Sequence, residues 1–194
     1  MRKVLTSLVF LLLLPGCMIP GTYFDPFDDY VRGLRWFDRG AFEQSKKHWE
    51  PLANAGDCDA QFRLGTLFFL GAGVTQNDET ARHWLLSAAN QGQGLAQILV
   101  AAMHAHDTTS IGTVARTVAF DCTIGCGIEK DMVEAYKWVS ISEGFAVYDE
   151  HREGAKKMLA KYSQSMSPEQ IVEAKRRAQD WKPSPNKCKQ RKLL

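Results

Sequence analysis

Residues 71–84 read GAGVTQNDETARHW, and residues 125–138 read GCGIEKDMVEAYKW. At a constant offset of 54 the second copy repeats Gly71 as Gly125, Gly73 as Gly127, Ala81 as Ala135 and Trp84 as Trp138, with aliphatic Ile128 where Val74 stood. Working outward, Ala60–Gln91 reads AQFRLGTLFFLGAGVTQNDETARHWLLSAANQ, and Ala96-Gln97 opens the same phrase again after 36 residues. A period of that size belongs to arrays of helix–turn–helix units. Ala60, Leu64, Gly65 and Phe68 share one helical face, and Ala81, Trp84, Leu85 and Ala88 share another. Glycine inside a helix costs ~1 kcal/mol against alanine. Gly65 is therefore reasonable only where a neighbouring helix comes close, with a large ring such as Trp84 laid over it. Gly71 and Gly73 stop the first helix in conformations other residues resist. Val74 then offers an apolar peg, Asn77 caps the second helix, and Asp131 to Glu134 has the pattern of a capping box.

Each copy is thus a hairpin of two helices whose apolar face needs the next copy to cover it. The predicted fold is all-α, a short α-solenoid over 30–181. Upstream, GLRWFDRGAFEQSKKHWEPLANAG gives a looser hairpin with a turn at Gly40 and a proline, Pro51, that should kink its second helix. Trp49, Trp84 and Trp138 read as core residues at one repeat position. The change of offset from 36 to 54 marks an insertion of 18 residues, about 104–124. Ser167-Pro168-Glu169-Gln170 is a helix start with a cap, Pro in the first turn and a capping-box Gln. It opens the second half of a terminal capping hairpin, about 149–181.

The ordered set Ala60, Leu64, Gly65, Phe68, Gly71, Gly73, Val74, Asp78, Ala81, Trp84, Ala88, Ala89 and Gly92 resembles the Sel-one-like repeat (SLR) signature. That family consists of α-solenoids related to tetratricopeptide repeats. The resemblance implies a protein-binding scaffold without catalysis, requiring no cofactor. Its first helices would line the curved face, with Arg35, Arg63, Thr66 and Leu70 as candidate partner contacts. In such an array, turns within hairpins lie at one end and turns between hairpins at the other, ~20 Å away. Disulfide Cα atoms must approach within ~7 Å. Four cysteines downstream of residue 17 allow three connectivities. The geometry favours a Cys122–Cys126 bridge; Cys58–Cys188, at one end of the array but about two hairpins apart, is the second candidate.

The chain begins with Arg2-Lys3, then an apolar run from Val4 to Leu14, which as a helix rises ~16 Å, about half a bilayer core. Residues 1–16 read as a signal peptide. Leu14-Pro15-Gly16-Cys17 resembles a bacterial lipobox, making Cys17 the lipidated first residue and 17–29 a tether. By likeness to Gram-negative lipoproteins, Met18 directs the protein to the outer membrane, facing the periplasm. The stretch 4–181 holds 17 basic and 22 acidic residues, and the basic tail 182–194 has no acid. An acidic body does not suit a nucleic-acid partner.

Chemical motifs are sparse. His104, His106 and Asp107 with Cys122 and Cys126 could bind zinc, although C-x₃-C is an unusual spacing and no metal site is assigned. Ser184-Pro-Asn-Lys187 matches Ser-x-x-Lys with no supporting context, so penicillin-binding or β-lactamase-like chemistry is disfavoured. His48, His83 and His151 read as surface or packing residues. The partner implied is another protein, either an envelope component or a secreted toxin of lipase type neutralised by an immunity protein, with the membrane engaged through the N-terminal lipid.

Overall fold

The computed structural model describes residues 28–107, 128–145, 149–184 and 188. The described residues contain eight helices and no strand. They are α1 (Asp29–Asp38), α2 (Phe42–Asn54), α3 (Cys58–Leu70), α4 (Asp78–Asn90), α5 (Gly94–Ala105), α6 (Met132–Phe145), α7 (Asp149–Ser163) and α8 (Pro168–Asp180). Each of the first six packs on the next, and α6 receives both α7 and α8. This is an α-solenoid: neighbours bury neighbours, and the apolar core runs along the stack.

The repeat is visible in its hydrogen bonds. Asp57 and Gln93, 36 residues apart, both cap a first helix by accepting from the N–H three residues on. Gln61 and Gln97, at the same offset, are buried and donate from Nε2 to the carbonyls of Ala53 and Ala89, each at 3.1 Å. Each such amide ties the start of one hairpin to the end of the one before it. Inside the hairpins, Asn77 N–H donates to the Phe68 carbonyl at 3.0 Å, and Asp131 N–H donates to the His104 carbonyl at 3.0 Å. Residues 77 and 131 are 54 apart and 68 and 104 are 36 apart, so one bond is preserved across the longer connection. His106, left-handed at φ 52°, places Nε2 2.8 Å from the Ile128 carbonyl. The two ends of the insertion are thereby held together, which leaves the α5–α6 pairing like that of α3–α4. Residues 108–127, with Cys122, Gly125, Cys126 and Gly127, lie outside the described residues.

Glycines set the spacing. Gly71 ends α3 at φ 64°. A Cβ on Gly73 would fall 2.7 Å from Phe42 Cβ and 2.5 Å from Glu43 N, so this turn lies against the start of α2 in the preceding hairpin. A Cβ on Gly65 would meet Leu85 Cγ at 2.8 Å. The residue over Gly65 is therefore Leu85 and not Trp84, because Leu85 is the one pointing inward from α4. A Cβ on Gly33 would overlap the Trp49 indole in the same way. With Ala53 matching Ala89 through the two glutamine bonds, Trp49 is the equivalent of Leu85 and not of Trp84. The first hairpin has a shorter turn, and that shifts its tryptophan by one position. Trp49 and Trp138 are buried, whereas Trp84 is half-buried and packs toward the N-terminal cluster of Tyr30, Trp49, Leu64 and Leu67.

Helix ends follow the sequence with one exception. Ser167 and Gln170 form a reciprocal capping box and Asn77 caps α4. Asp131 accepts from the N–H groups of Val133 and Glu134 at 2.9 and 3.0 Å, but Glu134 turns away to Lys137 at 2.6 Å and Arg177 at 3.0 Å. Only half of that box exists, because two cations compete for the carboxylate. Pro51 lies inside α2 without ending it.

Beyond α8, the described residues 181–184 and 188 are held to the body. Trp181 meets Trp138 edge-on at 6.3 Å. Ser184 N–H donates to the Asn90 carbonyl at 2.8 Å, and Cys188 N–H to that of Gln91 at 2.9 Å. Cys188 is disulfide-bonded to Cys58, with Cα atoms 5.5 Å apart.

Candidate functional site

The first helices carry the candidate partner contacts, and burial sorts them. Ten of the thirteen residues of α3 are buried. Thr66 is one of them, with Oγ1 donating to the Phe62 carbonyl at 2.8 Å, so it faces the core and offers no contact. Leu70 is half-buried against the main core. Both lie inward because α3 is enclosed by α2 and α4. Arg35 on α1 is exposed. Arg63 is half-buried between α1, α2 and α3. Its guanidinium lies 5.9 Å from the Phe37 and Trp49 ring centroids and 5.7 Å from that of Phe62. Its Nε donates to the Tyr30 hydroxyl at 3.4 Å. The backbone carbonyl of Tyr30 in turn accepts from Trp49 Nε1 at 3.1 Å. Arg63 is the one charged side chain of α3 that reaches the surface, since Asp59 is buried and accepts from Gln93 at 3.3 Å.

The second locality flanks the insertion. His104, His106 and Asp107 do not converge on a common point. Asp107 is buried and pairs with Lys161 of α7 at 2.7 Å. His106 serves the Ile128 carbonyl. His104 is held below its ordinary pKa by burial, against the opposing pull of Glu134 and Asp131, and its Nδ1 is buried without a partner. A cavity of about 190 Å³ lies beside them, walled by His106, Asp107, Lys130, Lys161 and Tyr162 among others. Burial, and then the Asp107 charge, push the Tyr162 phenol far up, so it stays neutral. The ion pair ties α7 to the chain just after α5, and the buried phenol stays neutral; together they do not supply a nucleophile with a base.

Among the described residues, Cys58, Asp59 and Cys188 are the group whose potential metal-binding atoms gather within 4.8 Å. With both sulfurs in a disulfide there is no thiolate to ligate. The Cys58–Cys188 bridge is the one observed; sequence reasoning placed these two cysteines at one end of the array but ranked their bridge behind Cys122–Cys126, which lies outside the described residues. It did not foresee the tail crossing the α4–α5 turn to bring them together. It also passed over the glutamine ties, although the recurring Ala-Gln pair was their trace.

The comparisons with known proteins agree with this geometry. The Sel1 repeat family model matches residues 58–93 and 124–141. Among solved structures, this chain is similar to a protective antigen present in uropathogenic Escherichia coli strains that displays an SLR fold. The TM-score is 0.65 at 19% identity, over 81% of this chain and 30% of that one. This chain therefore spans less than a third of that protein, and the likeness is one of fold. No curated protein matches the sequence.

Proposed function

We propose that this chain, which carries Sel1 repeats over residues 58–93 and 124–141, is a lipid-anchored interaction module of the bacterial envelope, binding another protein without chemistry of its own. The observation that carries the reading is the stacked array itself, in which the same ties recur from hairpin to hairpin and leave a continuous outer surface. Repeats of this kind serve protein–protein contact. Leu14-Pro15-Gly16-Cys17 after a positive start and an apolar run supports attachment through Cys17, at the outer membrane and facing the periplasm. The Cys58–Cys188 disulfide supports an oxidising compartment, where such bonds persist.

Two measurements test this. Labelled fatty acid should enter the wild-type chain and not the Cys17→Ala variant, and the variant should leave the membrane fraction. Cross-linking in intact cells, followed by purification in detergent, should recover a protein in stoichiometric amount. Recovery of a lipase-type toxin would narrow the function to immunity, and recovery of an envelope component would narrow it to assembly. An anchored protein that cross-links to nothing would overturn the reading.

A further inference from the structure

The geometry points to Arg63 as a preformed binding point for a carboxylate carried by the protein partner, an acidic side chain seated against the rings that hold the guanidinium; this rests on the interaction-module reading above. Three features distinguish Arg63 from an ordinary surface arginine. Among the described residues it forms no ion pair, and of its donors Nε alone is engaged, by Tyr30. Nη1 and Nη2 make no bond to the described residues and are not among the buried unpartnered atoms, so the fork is open. The group is fixed by rings from three helices: Phe37 of α1, Trp49 of α2 and Phe62 of α3. Guanidinium is weakly hydrated and stacks on aromatic faces, and its two parallel N–H groups match a carboxylate. A side chain whose rotamer is already set loses little freedom on binding. An arginine among aromatics, half out of water, has the composition of an interface hot spot.

The net charge of the chain does not recruit polyanions. From residue 17 onward it carries 22 basic and 22 acidic residues, so no net field draws a polyanion to it. A single carboxylate on a chain that also brings apolar contact to half-buried Phe37 needs no such field, since it meets the cation at short range.

The test uses the full chain, labelled with ¹⁵N-arginine, in detergent. The side-chain N–H signals of Arg63 are followed against those of Arg35, which is exposed and, among the described residues, in no ion pair, and serves as an internal control. Three probes are titrated: a short blocked peptide with one glutamate between leucines, its glutamine twin, and inorganic phosphate. The glutamate peptide should move Arg63 at least tenfold earlier in concentration than Arg35, and the twin should move neither. Arg63→Lys, which keeps the charge and loses the fork, should weaken the peptide at least tenfold. Equal responses at Arg63 and Arg35, an equal effect of the twin, or phosphate acting as strongly as the peptide would each overturn the proposal. Cross-linking the Arg63→Lys protein in cells separates this claim from its premise. Undiminished partner recovery removes the Arg63 site and leaves the module. If no partner is recovered with either protein, the premise falls and the peptide titration still decides the site.

Discussion

One added methyl group has opposite consequences at residues 65 and 154. A Cβ at Gly65 would sit 2.8 Å from Leu85 Cγ and 3.1 Å from the Leu85 backbone nitrogen, and backbone cannot step aside. Gly65→Ala should therefore destabilise by ~1–3 kcal/mol through overpacking, despite the gain in helix propensity. Gly154 is exposed in α7 with nothing near its Cβ position. Gly154→Ala should stabilise by ~0.5–1 kcal/mol. Urea unfolding of the two variants checks both signs. Titration behaves as locally as packing. His104 is held below its ordinary pKa by burial, although Glu134 and Asp131 favour its charged form and Lys137 and Arg82 oppose it. A lowered histidine pKa means the unfolded chain takes up the proton first. Stability should therefore fall as pH drops below about 6.5, with a slope of at most ~1.4 kcal/mol per pH unit. His104→Phe, the residue that the preceding hairpin carries at this place, should flatten the profile between pH 5 and 7. Glu134 acts in a lower window. Burial would raise its pKa, yet Lys137 and Arg177 together lower it, so its contribution is complete above pH 4.5 and is lost as pH falls through the folded value. A profile flat for wild type from pH 7 to 5 would sink the His104 assignment.

Between elements, the two buried glutamines divide the same task unequally. Gln61 donates to the Ala53 carbonyl and accepts from Gln91 at 2.7 Å, so both ends of its amide are used. Gln97 donates to the Ala89 carbonyl, and its Oε1 is buried without a partner. A neutral hydrogen bond is worth ~1 kcal/mol net, and a buried orphan acceptor is itself costly. Gln61→Met should therefore destabilise by ~2 kcal/mol, and Gln97→Met, which also removes the orphan, by less than ~1 kcal/mol. Equal costs in urea unfolding would show that the second amide end is irrelevant. The helices themselves were legible because small residues at fixed spacing are costly anywhere but at a close approach, and Gly65, Gly71 and Gly73 are placed accordingly. Register was less legible. The Trp49 position depends on the length of the first turn, and tryptophan in place of Leu85 imitates the neighbouring Trp84. Thr66 looked available because its hydroxyl is polar, yet that hydroxyl is satisfied by its own helix. The candidate site was half legible: Arg63 is apparent as the one surface charge on α3, whereas the rings that fix it come from three different helices and meet only in space.

Across the whole molecule, a solenoid has a weakness that a globule lacks, since its end units touch neighbours on one side only and fray first. The chain answers at one end with polar α8 and with the tail that returns to Cys58. The disulfide spans 130 residues and encloses α3 to α8, while α1 and α2 stand outside the loop. Closing a loop of that length stabilises the fold on the order of 3–5 kcal/mol by restricting the unfolded chain. It also fixes Trp181 against Trp138 and holds Ser184 and Cys188 on the α4–α5 turn. Replacing Cys188 by Ser, or reducing the wild type, should therefore act unevenly. Amide exchange should accelerate first in α8 and around Trp181, then in α7, while α1 and α2, outside the loop, exchange as they do in the oxidised protein. Trypsin should cut the variant within α8, after Lys175, Arg176 or Arg177, long before it cuts the oxidised protein. A uniform loss of protection over all eight helices would mean that the bond only restrains the unfolded chain. Unchanged exchange in α8 would mean that the tail contributes nothing to holding the end of the stack.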